Sequence, residues 1–96
     1  MPDKKDMTSK QRAALRSLAQ SLSPVVMVGH DGITEGVIAA LDQALTDHEL
    51  VKVRFQDFKD MAKDLSNELA MKTKSTLVSV TGFTAVFYRI NPEKHK

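Results

Sequence analysis

The sequence predicts an α/β domain of the two-layer α+β kind, three helices on a mixed four-stranded sheet. Three observations carry that reading. Apolar residues recur at helical spacing in three separate segments. A short apolar run, a helix and an alternating segment follow one another between residues 25 and 55, as a strand–helix–strand unit requires. Near the C-terminus, two β-prone runs flank Gly82-Phe83, a hairpin loop of minimal length. The order is α-β-α-β-α-β-β, with one domain over 9–91, a flexible N-terminus at 1–8 and a charged tail at 92–96.

Thr8-Ser9 offers an N-cap, and Leu15, Leu18, Ala19 and Leu22 carry a first helix through residue 22. Lys10, Arg12 and Arg16 fall elsewhere on its wheel and give it a basic flank. Pro24 ends the helix, and Val25 to Val28 is a continuous apolar run, the mark of a strand buried on both faces. Thr34 caps a second helix with Val37, Ile38, Leu41 and Leu45 inward, ending at Asp47-His48. Leu50 to Phe55 alternates: Val51, Val53 and Phe55 point one way, Leu50, Lys52 and Arg54 the other. The unit implies parallel strands joined by a crossover helix. A third helix runs from about Phe58 to Lys72, with Phe58, Met61, Ala62, Leu65 and Leu69 inward and an ordinary solvated face of alternating charges. Thr76–Thr81 and Thr84–Ile90 form the hairpin, Gly82 supplying the positive φ of a type II′ turn.

Composition narrows the function. With 96 residues, 42% apolar and 27% charged, the chain has room for one modest core. It has no cysteine, which excludes a disulfide framework and a thiolate zinc site and fits a reducing, cytoplasmic compartment. The charged start has no apolar run behind it, so neither a secretory signal nor a membrane span is expected. The net charge of +2 is segregated: residues 1–30 carry +3, 31–51 carry −5 and 52–96 carry +4. Such segregation allows a positive surface that could meet phosphates.

Catalytic constellations are hard to assemble. The serines lack a nucleophile-elbow setting, and His30, His48 and His95 have no metal-ligand spacing. No enzyme activity, cofactor, metal or small-molecule substrate is expected. The Gly29-His30-Asp31-Gly32 loop has a plausible chemistry instead. It lies between a strand and a helix N-terminus, and its glycines permit positive φ and close approach of a phosphate. It is neither a nucleotide-hydrolase loop nor a dinucleotide fingerprint; a GxxG clamp on nucleic-acid backbone fits better. A tight strand-to-helix turn also needs glycines, and the Asp31 carboxylate opposes a phosphate. On the strands, Lys52 and Arg54 share a face, as do Phe87 and Arg89, while Tyr88 and Phe83 add aromatic rings. Aromatics beside cations suit single-stranded RNA, although Phe87 and Tyr88 also suit a core.

Several of these residues resemble a known family. Pro24-Val25-Val26, Gly29-x-x-Gly32-x-Thr34-Glu35-Gly36-Val37, His48 to Val53, Gly82 and Tyr88-Arg89 are similar to the YhbY family, the stand-alone bacterial form of the CRM (chloroplast RNA splicing and ribosome maturation) domain. The resemblance covers about Lys10 to Arg89. It implies an RNA-binding domain related in shape to the C-terminal domain of translation initiation factor 3. It also implies association with precursors of the large ribosomal subunit. Carried over by position, RNA contacts fall on Gly29, His30, Asp31 and Gly32 and on the basic strand residues Lys52, Arg54 and Arg89. This chain departs from the family pattern at Phe83, where Lys or Arg is usual, and at Asp31, where a basic or neutral polar residue is common. The expectation is therefore a monomeric factor that binds ribosomal RNA of the immature large subunit. It would use the GxxG loop, Phe83 and charge from Lys10, Arg12, Arg16 and the sheet. The alternative is a protein-interaction module docking a basic partner through the acidic second helix.

Overall fold

Regular structure begins at Thr8, in a computed structural model that describes residues 7–95. The expected flexible N-terminus therefore lies outside the described residues for 1–6, as does Lys96 of the tail. The Thr8 hydroxyl accepts the Gln11 amide and the Gln11 side chain accepts the Thr8 amide, so two otherwise free donors are satisfied reciprocally. Helix α1 follows as Ser9–Ala19, three residues shorter than its apolar periodicity suggests. Ser23 precedes Pro24 and is steered out of helical backbone, so the chain turns early. Leu18 and Leu22, expected inside, are exposed in consequence.

The other elements are β1 (Val26–Val28), α2 (Glu35–His48), β2 (Leu50–Phe55), α3 (Ala62–Thr73), β3 (Thr76–Thr81) and β4 (Thr84–Tyr88). The fold is α+β, with three helices and a mixed four-stranded sheet. Strand order is β1-β2-β4-β3, with β1 parallel to β2 and the remaining pairs antiparallel. Val51, Val53 and Phe55 of β2 join Val26, Val28, Ala85 and Phe87 under α2 and α3, where Leu41, Leu45 and Leu69 complete the main core. The opposite face carries α1 over a smaller cluster, Ala19, Val78 and Val86, with Leu15, Leu50 and Tyr88 packed against it.

Two expectations about burial are corrected. β1 is an edge strand buried on one face: Val26 and Val28 point inward while Met27 and the preceding Val25 are exposed, because α1 does not reach that far across the sheet. The third helix starts at Ala62, behind a 3-10 turn at Lys59–Met61, because Phe58 adopts left-handed backbone that a helix cannot accommodate. Phe58 and Met61 are partly exposed instead of inward.

A bulge in β3 was not legible in the sequence. Leu77 faces Phe87 and Ser79 faces Val86, leaving Val78 extra. Leu77 and Val80 consequently stay with the main core while Val78 joins the cluster under α1. Arg12 donates to the carbonyls of Leu77 and Val78 at 2.9 and 2.6 Å, fastening α1 to the irregularity. The hairpin turn is as expected, with Gly82 at φ +59°.

Lys74, exposed at the C-terminal cap of α3, holds φ 55° and ψ 42°. Glycine adopts this conformation without the Cβ penalty, so Lys74→Gly is expected to stabilise the protein by about 0.5–1 kcal/mol. Urea denaturation of both proteins checks it; equal or lower stability would contradict the argument.

Candidate nucleic-acid interface

The sheet topology brings three loops to one end of the molecule. β1 and β2 are parallel and finish together, and the β3–β4 hairpin turns at that same end, since Arg54 registers with Thr84. Two backbone bonds tie the loops. The Gln56 amide donates to the Val28 carbonyl at 2.8 Å, and the Phe55 amide donates to the Phe83 carbonyl at 2.7 Å.

The glycine loop is closed by its own turn, the Gly32 amide donating to the Gly29 carbonyl at 3.0 Å. Its two glycines do different work, which corrects the expectation that both need positive φ. Gly32 has φ +71° and is buried, and a Cβ there would sit 3.6 Å from Phe58 Cε2. Gly29 has no positive φ, and the space where its Cβ would go is empty to 4 Å. Gly32 is therefore structural and Gly29 is open to a visitor. The helix N-terminus behind the loop is already served: Thr34 Oγ1 accepts the Val37 amide at 3.1 Å, and Glu35 adds a carboxylate to the first turn. His30 Nε2 lies 3.4 Å from Asp31 Oδ1 on well-exposed side chains, a contact that contributes little.

Phe83 at the hairpin tip is 38% exposed, and cations share its ring. Lys59 Nζ lies 4.3 Å from the ring centroid and the Arg54 guanidinium 5.6 Å from it. The ring quadrupole attracts both and holds two like charges beside one another at the loop cluster. Spacing alone puts Lys59 on a plain solvated face and Phe58 in the core. Neither residue's role was visible in the sequence, because both depend on the backbone reversal at Phe58. Beside them lies a shallow hollow of about 400 Å³ lined by Gln56 to Met61, where Asp57 and Asp60 oppose an anion.

Two expected contact residues are committed elsewhere. Arg89 lies on the helix-covered side of the sheet, with its side chain 19% exposed. Its guanidinium donates to Asp42 Oδ1 at 2.6 Å, the Thr73 carbonyl at 2.7 Å, and the Asp42 carbonyl and Thr46 Oγ1 at 2.9 Å each. It joins α2, α3 and the end of β4, and its charge is not offered to a ligand. Arg12 is spent on the β3 bulge. Tyr88 packs in the cluster under α1, and burial, with a smaller part from the Glu49 carboxylate, raises its phenol pKa. Phe87 is wholly buried. Lys10 and Arg16 are exposed on α1, and Lys52 and Arg54 point to the α1 side of the sheet. Among the described residues there is no group of side chains that could hold a metal, and no helix long and apolar enough to cross a membrane.

Comparison with known proteins gives the family. Residues 7–89 match the family described as the CRS1 / YhbY (CRM) domain. The chain belongs to the CRM-domain family. A probable RNA-binding protein of Pseudomonas aeruginosa is 40% identical to this CRM domain over 91 residues, covering 94% of this chain and 88% of the other. An RNA-binding protein of Haemophilus influenzae is also 40% identical, over 88 residues, covering 91% and 89%. The solution structure of a hypothetical protein from Staphylococcus aureus, described as a candidate RNA-binding protein, superposes with a TM-score of 0.77 at 40% identity, covering 88% of each chain.

Two stability predictions follow from the CRM domain's geometry. Arg89→Ala leaves the part-buried Thr73 carbonyl without this donor and removes the tie between α2 and α3, and should cost about 1–3 kcal/mol in denaturant unfolding. Gly32→Ala should cost about 1 kcal/mol through its left-handed backbone, whereas Gly29→Ala should leave stability within about 0.5 kcal/mol of the parent. Equal losses at the two glycines would contradict the assignment of different roles.

Proposed function

We propose that this CRM domain binds RNA, without cofactor or catalysis, through the loop cluster at the end of its sheet. The observation that carries the reading is the juxtaposition of an open Gly29 backbone with Arg54 and Lys59, gathered on Phe83. Backbone amides near Gly29 and two exposed cations suit the phosphate chain, and Gly29 lets that chain approach without meeting a Cβ. The printed names of the relatives support the same partner. Within RNA, we propose ribosomal RNA of large-subunit precursors, met in the cytoplasm during assembly; the family resemblance of the sequence supports this finer reading. The alternative, an acidic second helix docking a basic protein, loses one of its charges to an internal partner. Asp42 is paired with Arg89.

Cross-linking in cells followed by mapping of the attached RNA tests the partner; recovery of precursor large-subunit RNA is expected, and recovery of no RNA would overturn the reading. In vitro, Gly29→Ala should weaken RNA binding by about 1–2 kcal/mol in a protein whose melting temperature is unchanged. Unchanged affinity would remove the loop from the interface. Asp31→Lys should tighten binding at low salt, and the gain should vanish at high salt where exposed charges are screened. Weaker binding at low salt would assign Asp31 a direct recognition role.

A further inference from the structure

A second groove lies apart from the loop cluster, between α1 and the sheet. It encloses about 350 Å³ and is lined by Arg16, Gln20, Lys52, Ser79, Thr81 and Thr84. Two cations line it and no carboxylate does. Unlike Arg12 and Arg89, neither Arg16 nor Lys52 forms an ion pair or side-chain hydrogen bond with the described residues. Two such cations lining one concavity repel each other and favour a polyanion in it. The hydroxyls of Ser79, Thr81 and Thr84 and the Gln20 amide can donate or accept. Ser79 faces this side because the bulge at Val78 shifts the pleat.

The groove continues toward the loop cluster. Arg54 follows Lys52 two residues along the same face of β2, roughly 7 Å further on. Beyond it stand Phe83 and Lys59. Beside this line β1 exposes Met27, in register with Arg54, and Val25, whose amide donates to the Lys52 carbonyl. Cations in line with apolar side chains alongside match a polymer of phosphates and bases. A duplex cannot enter a cleft between a helix and the sheet on which it stands.

We infer that the groove holds a nucleotide of a single-stranded RNA segment whose neighbouring stretch lies on the glycine loop, an inference that rests on the RNA reading above. Arg16 and Lys52 take the phosphate, and the hydroxyl set takes the ribose 2′-OH, the group that separates RNA from DNA.

The test is a fluorescence-polarisation titration over a salt series with three labelled probes: decauridylate RNA, the matching deoxy-decamer, and a ten-base-pair RNA duplex. Arg16→Gln and Lys52→Gln should each raise Kd for decauridylate about 5- to 10-fold and flatten the salt slope by about 0.7. Both should leave duplex affinity within about two-fold. Thr84→Val, close to isosteric, should narrow the preference for RNA over DNA without altering the salt slope. Equal losses on duplex and single strand would make these residues a general basic surface and overturn the groove. Unchanged decauridylate affinity in both charge variants would overturn it as well. A wild-type protein that binds none of the probes would instead overturn the RNA reading itself, so the two failures are distinct.

Discussion

The alternation of β2 is the constraint on which the rest of the molecule depends. This central strand pairs in parallel with β1 and antiparallel with β4, so its register fixes both neighbours. Its inward residues Val51, Val53 and Phe55 make the floor of the main core. Its outward residues Leu50, Lys52 and Arg54 meet α1 or stand open beside it. A slip of one residue would bury two cations and expose a phenylalanine, so the hydrophobic term that folds the sheet also places the charges. Fold and surface are specified by the same six residues.

Positive charge alone does not mark the interface. Arg12 and Arg89 are as basic as Arg54, yet each is consumed within the fold: by carbonyls at a β-bulge in one case, by the last residue of α3 and the Asp42–Thr46 turn of α2 in the other. Arginine suits this role because its planar fork satisfies several acceptors at once without losing its charge. Among the described residues, Arg54 and Lys59 at the loop cluster and Arg16 and Lys52 in the groove under α1 are not spent in this way. Phe83 does not leave the hairpin tip neutral, because it draws Arg54 and Lys59 to itself.

Much of this was legible in the sequence, for reasons that can be named. The second helix, the central strand and the hairpin were readable because local periodicity, Thr34 and Gly82 agree with their tertiary setting. The ends of the first and third helices were not. Leu22 and Phe58 continue a helical pattern, and only Pro24 downstream and the left-handed backbone of Phe58 break it. Val25 to Val28 misled because an apolar run looks the same whether or not a helix covers its second face. The glycine loop was recognisable as a motif, but the division of labour between Gly29 and Gly32 needed the backbone angles. Lys59 had no sequence signal, since its approach to Phe83 joins segments more than twenty residues apart.

The manner in which α1 is attached has a consequence for motion. Its hold on the sheet consists of the smaller apolar cluster, Ala19, Val78 and Val86 with Leu15, Leu50 and Tyr88 packed against them, and the Arg12 bonds to the bulge, while α2 and α3 share the main core. Protein segments with little buried apolar surface open locally, at a free energy well below that of global unfolding. The first helix is thus the unit most ready to lift, and lifting it would uncover Val86 and widen the cleft beneath. A strand of RNA held under the helix would resist that movement, so occupancy and helix closure would reinforce one another. Amide hydrogen exchange would register this as slower exchange in α1, with the slow amides of β2 left as they are.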